Sequence, residues 1–189
     1  QASIVRLSDG SMLNFDNLLI ATGSSPLRPS IPGADLPGVL PLWSLTHTDN
    51  VLKYAASLQP AGRTPRVVLV GAGFIGFIVL NAMFKRKWQL AVVEREGQVL
   101  PRMLDAPAAD HVRRWLAAQE VAVHCGATVR QIKPEADGAK AVVLSDGRPL
   151  TADIVILATG IRPNLDLLQG SGIAPGEASA GPHPSDAVL

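Results

Sequence analysis

Three glycines in this sequence have the spacing needed to hold a phosphorylated ligand. Gly71, Gly73 and Gly76 stand in "VVLVGAGFIG" as G-x-G-x-x-G, between a run that predicts a buried strand and one that predicts a helix. The first glycine allows a tight turn, the second lets the backbone approach a pyrophosphate, and the third lets helix and strand pack closely. The backbone N–H groups of Phe74, Ile75 and Gly76 would then meet phosphate oxygens at the positive end of the helix.

A single acidic residue, Glu94, ends the next predicted strand. It lies about 20 residues beyond the glycine turn, where a carboxylate can accept hydrogen bonds from both ribose hydroxyls of an adenosine and repel a 2′-phosphate. Glu94 therefore favours NAD over NADP, although Arg95 beside it could reach a phosphate. Two alternatives to a dinucleotide site stay open. In one, Glu94 is only the polar end of a strand and binds no ligand. In the other, the protein is an S-adenosylmethionine methyltransferase, since some of those enzymes share the glycine turn and the acidic residue.

The elements around this turn alternate between strand and helix, which predicts a parallel sheet covered on both faces. The fold class expected is therefore α/β and Rossmann-like, with a β-meander of three short stretches crossing over the sheet. On the helix after the turn, the spacing predicts one inward apolar face. That face comprises Ile75, Ile78, Val79, Ala82 and Met83. The other predicted elements are strands at 67–70, 89–94, 121–125 and 153–160, helices at 46–58 and from Asp105 to about 119, and an inward-facing Trp115 on the latter.

A second pattern is an internal repeat. "LSDGSMLNFDNLLIATG" begins at Leu7, and "LSDGRPLTADIVILATG" begins at Leu144 with the same residues at corresponding places and no gap. Each copy predicts a hairpin with an Asp-Gly turn, then a short apolar strand, at 18–23 in the first copy. The segment 24–38 is rich in proline and glycine and predicts a linker without regular structure. Two copies flanking the glycine turn indicate two domains of one architecture.

The composition excludes several kinds of protein. The 189 residues include 17 Lys+Arg and 16 Asp+Glu, so no basic stripe favours nucleic acid. A single cysteine, Cys125, excludes an internal disulfide, and the histidines lack metal-ligand spacing, so no metal site is expected. The uncharged run 67–84 is long enough for a membrane span, but its glycines favour a strand, a turn and a helix. We expect no membrane segment and a cytoplasmic location.

The glycine turn, the repeated segment and the stretches beside them together resemble the FAD-dependent pyridine nucleotide-disulphide oxidoreductase superfamily. The matching stretches are "LLIATGSSPLRPSIPG", "VVLVGAGFIG", "VVERE…VLPRMLD" and "DIVILATGIRPN", and "LPRMLD" is most similar to the branch with NADH oxidases, nitrite reductases and ferredoxin or rubredoxin reductases. In that family an NAD(P)-binding domain is inserted into a related FAD-binding domain. The resemblance implies the end of an FAD-binding domain with a linker at 1–40, an NAD(H)-binding domain at 41–164, and a poorly ordered return segment at 165–189.

The resemblance also implies a reaction and its participants. Hydride passes from NADH to FAD and on to an acceptor, so the cofactors are NAD and, in the full-length protein, FAD. Gly160 in "ATGIRPN" would let the nicotinamide half of the cofactor lie against backbone. Besides the dinucleotide, the partners implied are an electron-acceptor protein and, for the full-length protein, a second subunit. The resemblance assigns no catalytic side chain here, and the 189 residues alone are expected to be inactive.

Three departures from the family pattern bear on this interpretation. Ile78 stands where the family commonly has a Glu near the nicotinamide. The FAD glycine motif and a redox-active cysteine pair are absent, as are the late "GD" motif and the dimerisation domain. An alternative is therefore a non-catalytic NAD(H)-binding module that reports redox state. Cys125 ends a predicted strand, which favours a small buried residue over a redox centre.

Overall fold

The computed structural model of the protein describes residues 3–58 and 64–172. These residues form two compact units. The smaller unit contains residues 3–24 and 163–172, and the larger unit contains the described residues between 25 and 162. The strands are β1 Ile4–Arg6, β2 Met12–Asn14, β3 Ser24–Pro26, β4 Val39–Pro41, β5 Arg66–Val70, β6 Gln89–Glu94, β7 Ala122–Cys125, β8 Val129–Pro134, β9 Lys140–Leu144, β10 Pro149–Ala152, β11 Ile154–Leu157 and β12 Ile161–Pro163. The helices are α1 Leu45–Leu58, α2 Phe74–Phe84 and α3 Ala106–Ala118, and a 3-10 turn covers Asp166–Leu168.

The larger unit is built on a five-stranded sheet in the order β4-β11-β5-β6-β7, with every neighbouring pair parallel. Strands β8, β9 and β10 form a separate antiparallel meander, and β3 pairs with β12. This arrangement confirms the predicted α/β class. Strand β5 is continuously apolar from Val67 to Val70 because both of its faces are covered.

Alternate residues of β5 belong to two different apolar cores. Val67 and Leu69 pack with buried residues of α1, α2 and α3, whereas Val68 and Val70 pack with those of the meander. Since successive side chains of a strand point to opposite faces, the three helices cover one face of the sheet and the meander covers the other. The sheet edge at which β5, β6 and β11 end is the edge at which the glycine turn begins.

The smaller unit contains the predicted hairpin, with β1 and β2 antiparallel and Ile4 opposite Asn14. Its two chain segments are joined by backbone and side-chain hydrogen bonds: the Asn164 N–H donates to the Gly23 carbonyl, and the Asn164 side-chain amide donates to the Thr22 carbonyl, 3.0 Å away. Within the return segment 165–189, predicted to be poorly ordered, Asp166–Leu168 form a 3-10 turn, and 173–189 lie outside the described residues.

Several predictions about these elements are wrong. Residues 18–23 form no strand, and Leu18 and Leu19 are exposed. The proline-rich linker contains the short strand β3. Trp115, predicted to face inward, is about half exposed, at 53%.

Among the described residues, no helix is long and apolar enough to cross a membrane.

Candidate functional site

Three strand ends meet at one edge of the parallel sheet and form the candidate site. Strand β5 ends at Val70, which pairs with Val93 of β6 on one side and with Leu157 of β11 on the other. The chain leaves this edge through Gly71, Glu94 and Ala158 respectively. The connection from β5 through α2 leads to β6, whereas the connection from β7 through the meander leads to β11, on the other side of β5. This edge is therefore a topological switch point, the place where open α/β sheets bind ligands.

Two glycines of the turn are required by the protein fold itself. Gly71 has φ +105°, and a Cβ there would lie 2.4 Å from the Ala158 carbonyl oxygen. A Cβ on Gly76 would lie 2.3 Å from the Gly71 carbonyl oxygen. The first glycine therefore allows β5 to turn beside the end of β11, and the third allows α2 to pack against the turn, as the spacing predicts.

Gly73 differs from these two glycines. Its backbone is extended, with φ −79° and ψ −175°, which any residue can adopt, and a Cβ there would meet no atom within 4 Å. Neither conformation nor packing in the described chain explains a glycine here. The missing side chain instead leaves open space in front of the first turn of α2, where a bound pyrophosphate would fit.

The first turn of α2 offers hydrogen-bond donors to that space. The helical pattern begins with the Phe77 N–H donating to the Gly73 carbonyl, 3.0 Å away. The N–H groups of Phe74, Ile75 and Gly76 precede this bond and have no acceptor within the helix. No side chain in the described part of the chain caps them. Unsatisfied amides and the positive pole of the helix together favour an anion.

Glu94 lies beside this turn and is held in place by two backbone amides. Its carboxylate accepts from the Ala72 N–H at 2.6 Å and from the Glu96 N–H at 2.9 Å, and the residue is only 8% exposed. A carboxylate has about four lone-pair positions, so two acceptor positions remain for ribose hydroxyls. The sequence missed the Ala72 contact because it depends on the register between β5 and β6.

Arg95, which could have reached a phosphate, is engaged elsewhere. Its guanidinium donates to the Glu96 carboxylate at 3.1 Å, and its side chain is largely exposed. This ion pair draws the positive charge towards Glu96. The arrangement around Glu94 therefore remains acidic, which is the arrangement that suits an unphosphorylated ribose.

Gly160 lies on the opposite side of the glycine turn from Glu94, after β11. It has φ +119°, and its carbonyl oxygen accepts from the Leu27 N–H at 2.9 Å. A Cβ would approach the Leu27 side chain to 3.2 Å. The backbone conformation alone explains this glycine, so its contact with a nicotinamide stays a prediction.

The predicted inward face of α2 needs correction. Val79 and Met83 are buried, and Ile75 packs against the core, as expected. Ile78 and Ala82 are instead exposed, because Gly76 and Leu80 complete the buried face. Apolar spacing could not separate the two sides of α2, since the helix is apolar almost all round.

Cys125 faces Glu94 in the register of β7 and β6. Burial, together with the negative charge of Glu94, raises the pKa of the Cys125 thiol. A thiol that stays protonated is a poor nucleophile, which agrees with a packing role. In the described part of the chain, no group of histidine, cysteine or acidic side chains is arranged to hold a metal ion.

Comparison with known proteins identifies the family. The chain matches the pyridine nucleotide-disulphide oxidoreductase family over residues 1–180. It is 35% identical to an NADH oxidase of Methanocaldococcus jannaschii over 85% of this chain and 34% of that protein.

Two solved structures share the fold. A ferredoxin reductase from Rhodopseudomonas palustris is 28% identical with a TM-score of 0.79, over 93% of this chain and 42% of that one. An FAD-dependent pyridine nucleotide-disulphide oxidoreductase from Desulfovibrio vulgaris is 33% identical with a TM-score of 0.66, over 90% and 43%. The chain thus spans less than half the length of each of these relatives. On its match over nearly the whole sequence, it belongs to the pyridine nucleotide-disulphide oxidoreductase family.

Proposed function

We propose that this chain is the NADH-binding part of an FAD-dependent oxidoreductase. The amides of Phe74, Ile75 and Gly76 bind the pyrophosphate, and Glu94 binds the adenosine ribose. Gly160 lies beside the nicotinamide half. When both cofactors are bound, NADH supplies a hydride and FAD accepts it. Family membership, with an NADH oxidase among the relatives, supports this function over methyl transfer.

The observation that carries the proposal is Gly73, the one glycine of the turn that the described fold does not require. A glycine without a structural reason, in front of unsatisfied helix amides, is best explained by a ligand that needs the space. The protein's own residues then have simple tasks. The amides neutralise the diphosphate charge, and the two backbone donors to Glu94 orient its remaining lone pairs towards the sugar.

For the whole protein we infer a larger arrangement. Residues 1–40 end an FAD-binding domain, 41–164 form the NAD(H)-binding domain, and 165–189 follow as the return segment. The relatives are more than twice as long as the matched segment, which supports further FAD-binding sequence in the whole protein. A ferredoxin reductase among the similar structures supports an electron-acceptor protein as partner. A homodimer and a cytoplasmic location stay predictions.

The test is Gly73→Val. An extended backbone accommodates valine, and its side chain meets open space, so the melting temperature should change by no more than about 2 °C. NADH affinity, measured by calorimetry, should fall at least about hundredfold because the side chain fills the pyrophosphate position. Gly76→Ala is the contrasting variant, since its Cβ collides with backbone and should lower the melting temperature. Unimpaired NADH binding by Gly73→Val, or binding of S-adenosylmethionine by the unaltered protein, would overturn the proposal.

A further inference from the structure

The segment between β6 and α3, residues 95–104, folds back onto the glycine turn. The Leu100 N–H donates to the carbonyl of Ala72, the residue between the first two glycines of the motif, at 2.9 Å. Ala72 is fully buried, and its own N–H donates to the Glu94 carboxylate. Both backbone groups of this alanine are therefore held by Glu94 and by the segment that follows it.

Two features keep this segment in the shape that the contact needs. Val99 is fully buried and packs in the apolar core with residues of α2 and α3. The Leu100 carbonyl accepts from the Met103 N–H at 2.9 Å and from the Leu104 N–H at 3.1 Å, which closes a tight turn. Leu100 itself has φ +49°, in the left-handed region that leucine rarely adopts. Such a conformation persists only where surrounding contacts enforce it, and these conformations cluster at functional sites.

The contact matters because of the peptide that follows Ala72. In a trans peptide the carbonyl and the next N–H point in opposite directions, so the bond from Leu100 fixes the plane of the peptide that joins Ala72 to Gly73. The Gly73 carbonyl then accepts from the Phe77 N–H and begins α2. Glycine has more backbone freedom than any other residue, so a turn with three glycines needs outside contacts to keep one shape. At Ala72 those contacts come from Glu94 and the 95–104 segment.

We propose that Val99 and Leu100 are positioning residues for the diphosphate of the dinucleotide. Val99 anchors the segment in the core, and the Leu100 N–H holds the Ala72–Gly73 peptide in the orientation that binds. A loop that has its bound shape before the ligand arrives loses less conformational entropy on binding, so the contact raises affinity. The inference rests on the proposed function of the glycine turn and goes beyond it, because neither residue belongs to the glycine motif or to the ribose acceptor.

The first experiment changes the backbone preference at position 100. Asparagine tolerates the left-handed region, whereas the β-branched valine does not. Leu100→Val should therefore weaken NADH binding by the whole protein about tenfold, and Leu100→Asn should bind NADH about fivefold more tightly than Leu100→Val, as measured by calorimetry. If the half-buried Leu100 side chain acted only by apolar packing, valine would be the better substitute. Binding by Leu100→Val that equals or exceeds that of Leu100→Asn would overturn the inference.

The second experiment uses Val99→Ala with Val121→Ala as its matched control. Both valines are buried in the same apolar core. Val121 precedes β7, at the other end of that strand from Cys125, which pairs with Glu94. Both variants should lower the melting temperature, because each leaves a cavity. Only Val99→Ala should also weaken NADH binding, by about fivefold, at a temperature where both variants are folded. An equal loss of affinity in the two variants, or none in either, would contradict the positioning role.

The unaltered protein separates a failure of this inference from a failure of the proposed function. If the unaltered protein binds neither NADH nor ADP-ribose, the proposed function fails, and the inference fails with it. If it binds NADH and all four variants bind NADH equally well, only the inference fails.

Discussion

The two copies of the repeated segment form the same turn but different strands. In the first copy the Leu7 N–H donates to the Ser11 carbonyl, and in the second the Leu144 N–H donates to the Arg148 carbonyl, both at 2.9 Å. Gly10 and Gly147 also share a φ of +87°. The turn therefore forms alike in two different surroundings, which is what a locally encoded structure does.

Beyond the turn the copies differ. Ile156 lies in β11 between β4 and β5 and is fully buried, whereas the corresponding Leu19 is 88% exposed and in no strand. Both stretches are equally apolar, so composition does not explain the difference. A strand needs neighbouring strands for its backbone groups, and among the described residues no strand pairs with 18–23. This supports the proposal that the first copy belongs to a domain with further strands.

The matching aspartates differ in the same way. Asp153 is buried and accepts three hydrogen bonds from Arg66, one from its backbone N–H and two from its guanidinium, at 2.8 to 3.0 Å. Asp16 at the corresponding place is exposed. The same residue type therefore closes the polar end of a buried strand in one copy and contacts solvent in the other.

The largest expected effect concerns these aspartates. Asp153→Ala should lower the free energy of unfolding by about 3–5 kcal/mol, because the backbone N–H and guanidinium of Arg66 lose a buried partner. Asp16→Ala should stay within about 0.5 kcal/mol. Urea denaturation followed by circular dichroism measures both, and similar losses in the two variants would contradict the difference between the copies.

A somewhat smaller effect is expected for the apolar strand residues. Ile156→Ala leaves a cavity in the sheet and should cost about 3 kcal/mol, whereas Leu19→Ala should cost close to nothing because its side chain is already in water. The same denaturation experiment applies. If Leu19→Ala proved as costly as Ile156→Ala, residues 18–23 would have to be packed in solution.

The smallest expected effect concerns the pKa values of the aspartates in the two Asp-Gly turns. The Arg148 side chain and backbone hold the pKa of Asp146 below its ordinary value, and the Ser11 hydroxyl and backbone do so for Asp9. Each carboxylate thus stabilises its turn above the unfolded-state pKa, and this stabilisation is lost as the pH falls through the lower, folded-state pKa. Arg148→Ala should raise the pKa of Asp146 and leave that of Asp9 unchanged, as carboxyl NMR titration would show. An unchanged Asp146 would mean that the backbone N–H alone lowers its pKa.

Much of the site could be predicted because its signals are local. The G-x-G-x-x-G spacing located the turn at the end of β5, and the helix predicted from Asp105 is α3, which Asp105 caps by accepting from the Ala108 N–H at 3.0 Å. The strand ending in Glu94 was also predicted with its observed bounds. The exposure of Ile78 could not be predicted, since both sides of α2 are apolar and only the position of the sheet decides which side is buried.

The sequence by itself determined the two Asp-Gly turns, the glycine bend and the alternation of strand and helix, because these depend on backbone conformations and side-chain contacts within a few residues. Only the tertiary structure decided that Asp153 pairs with Arg66, that Glu94 bonds to Ala72, and that one apolar stretch becomes a strand while its copy does not. Such contacts join residues far apart in the chain, and their free energy is realised only when neighbouring strands are present to complete them.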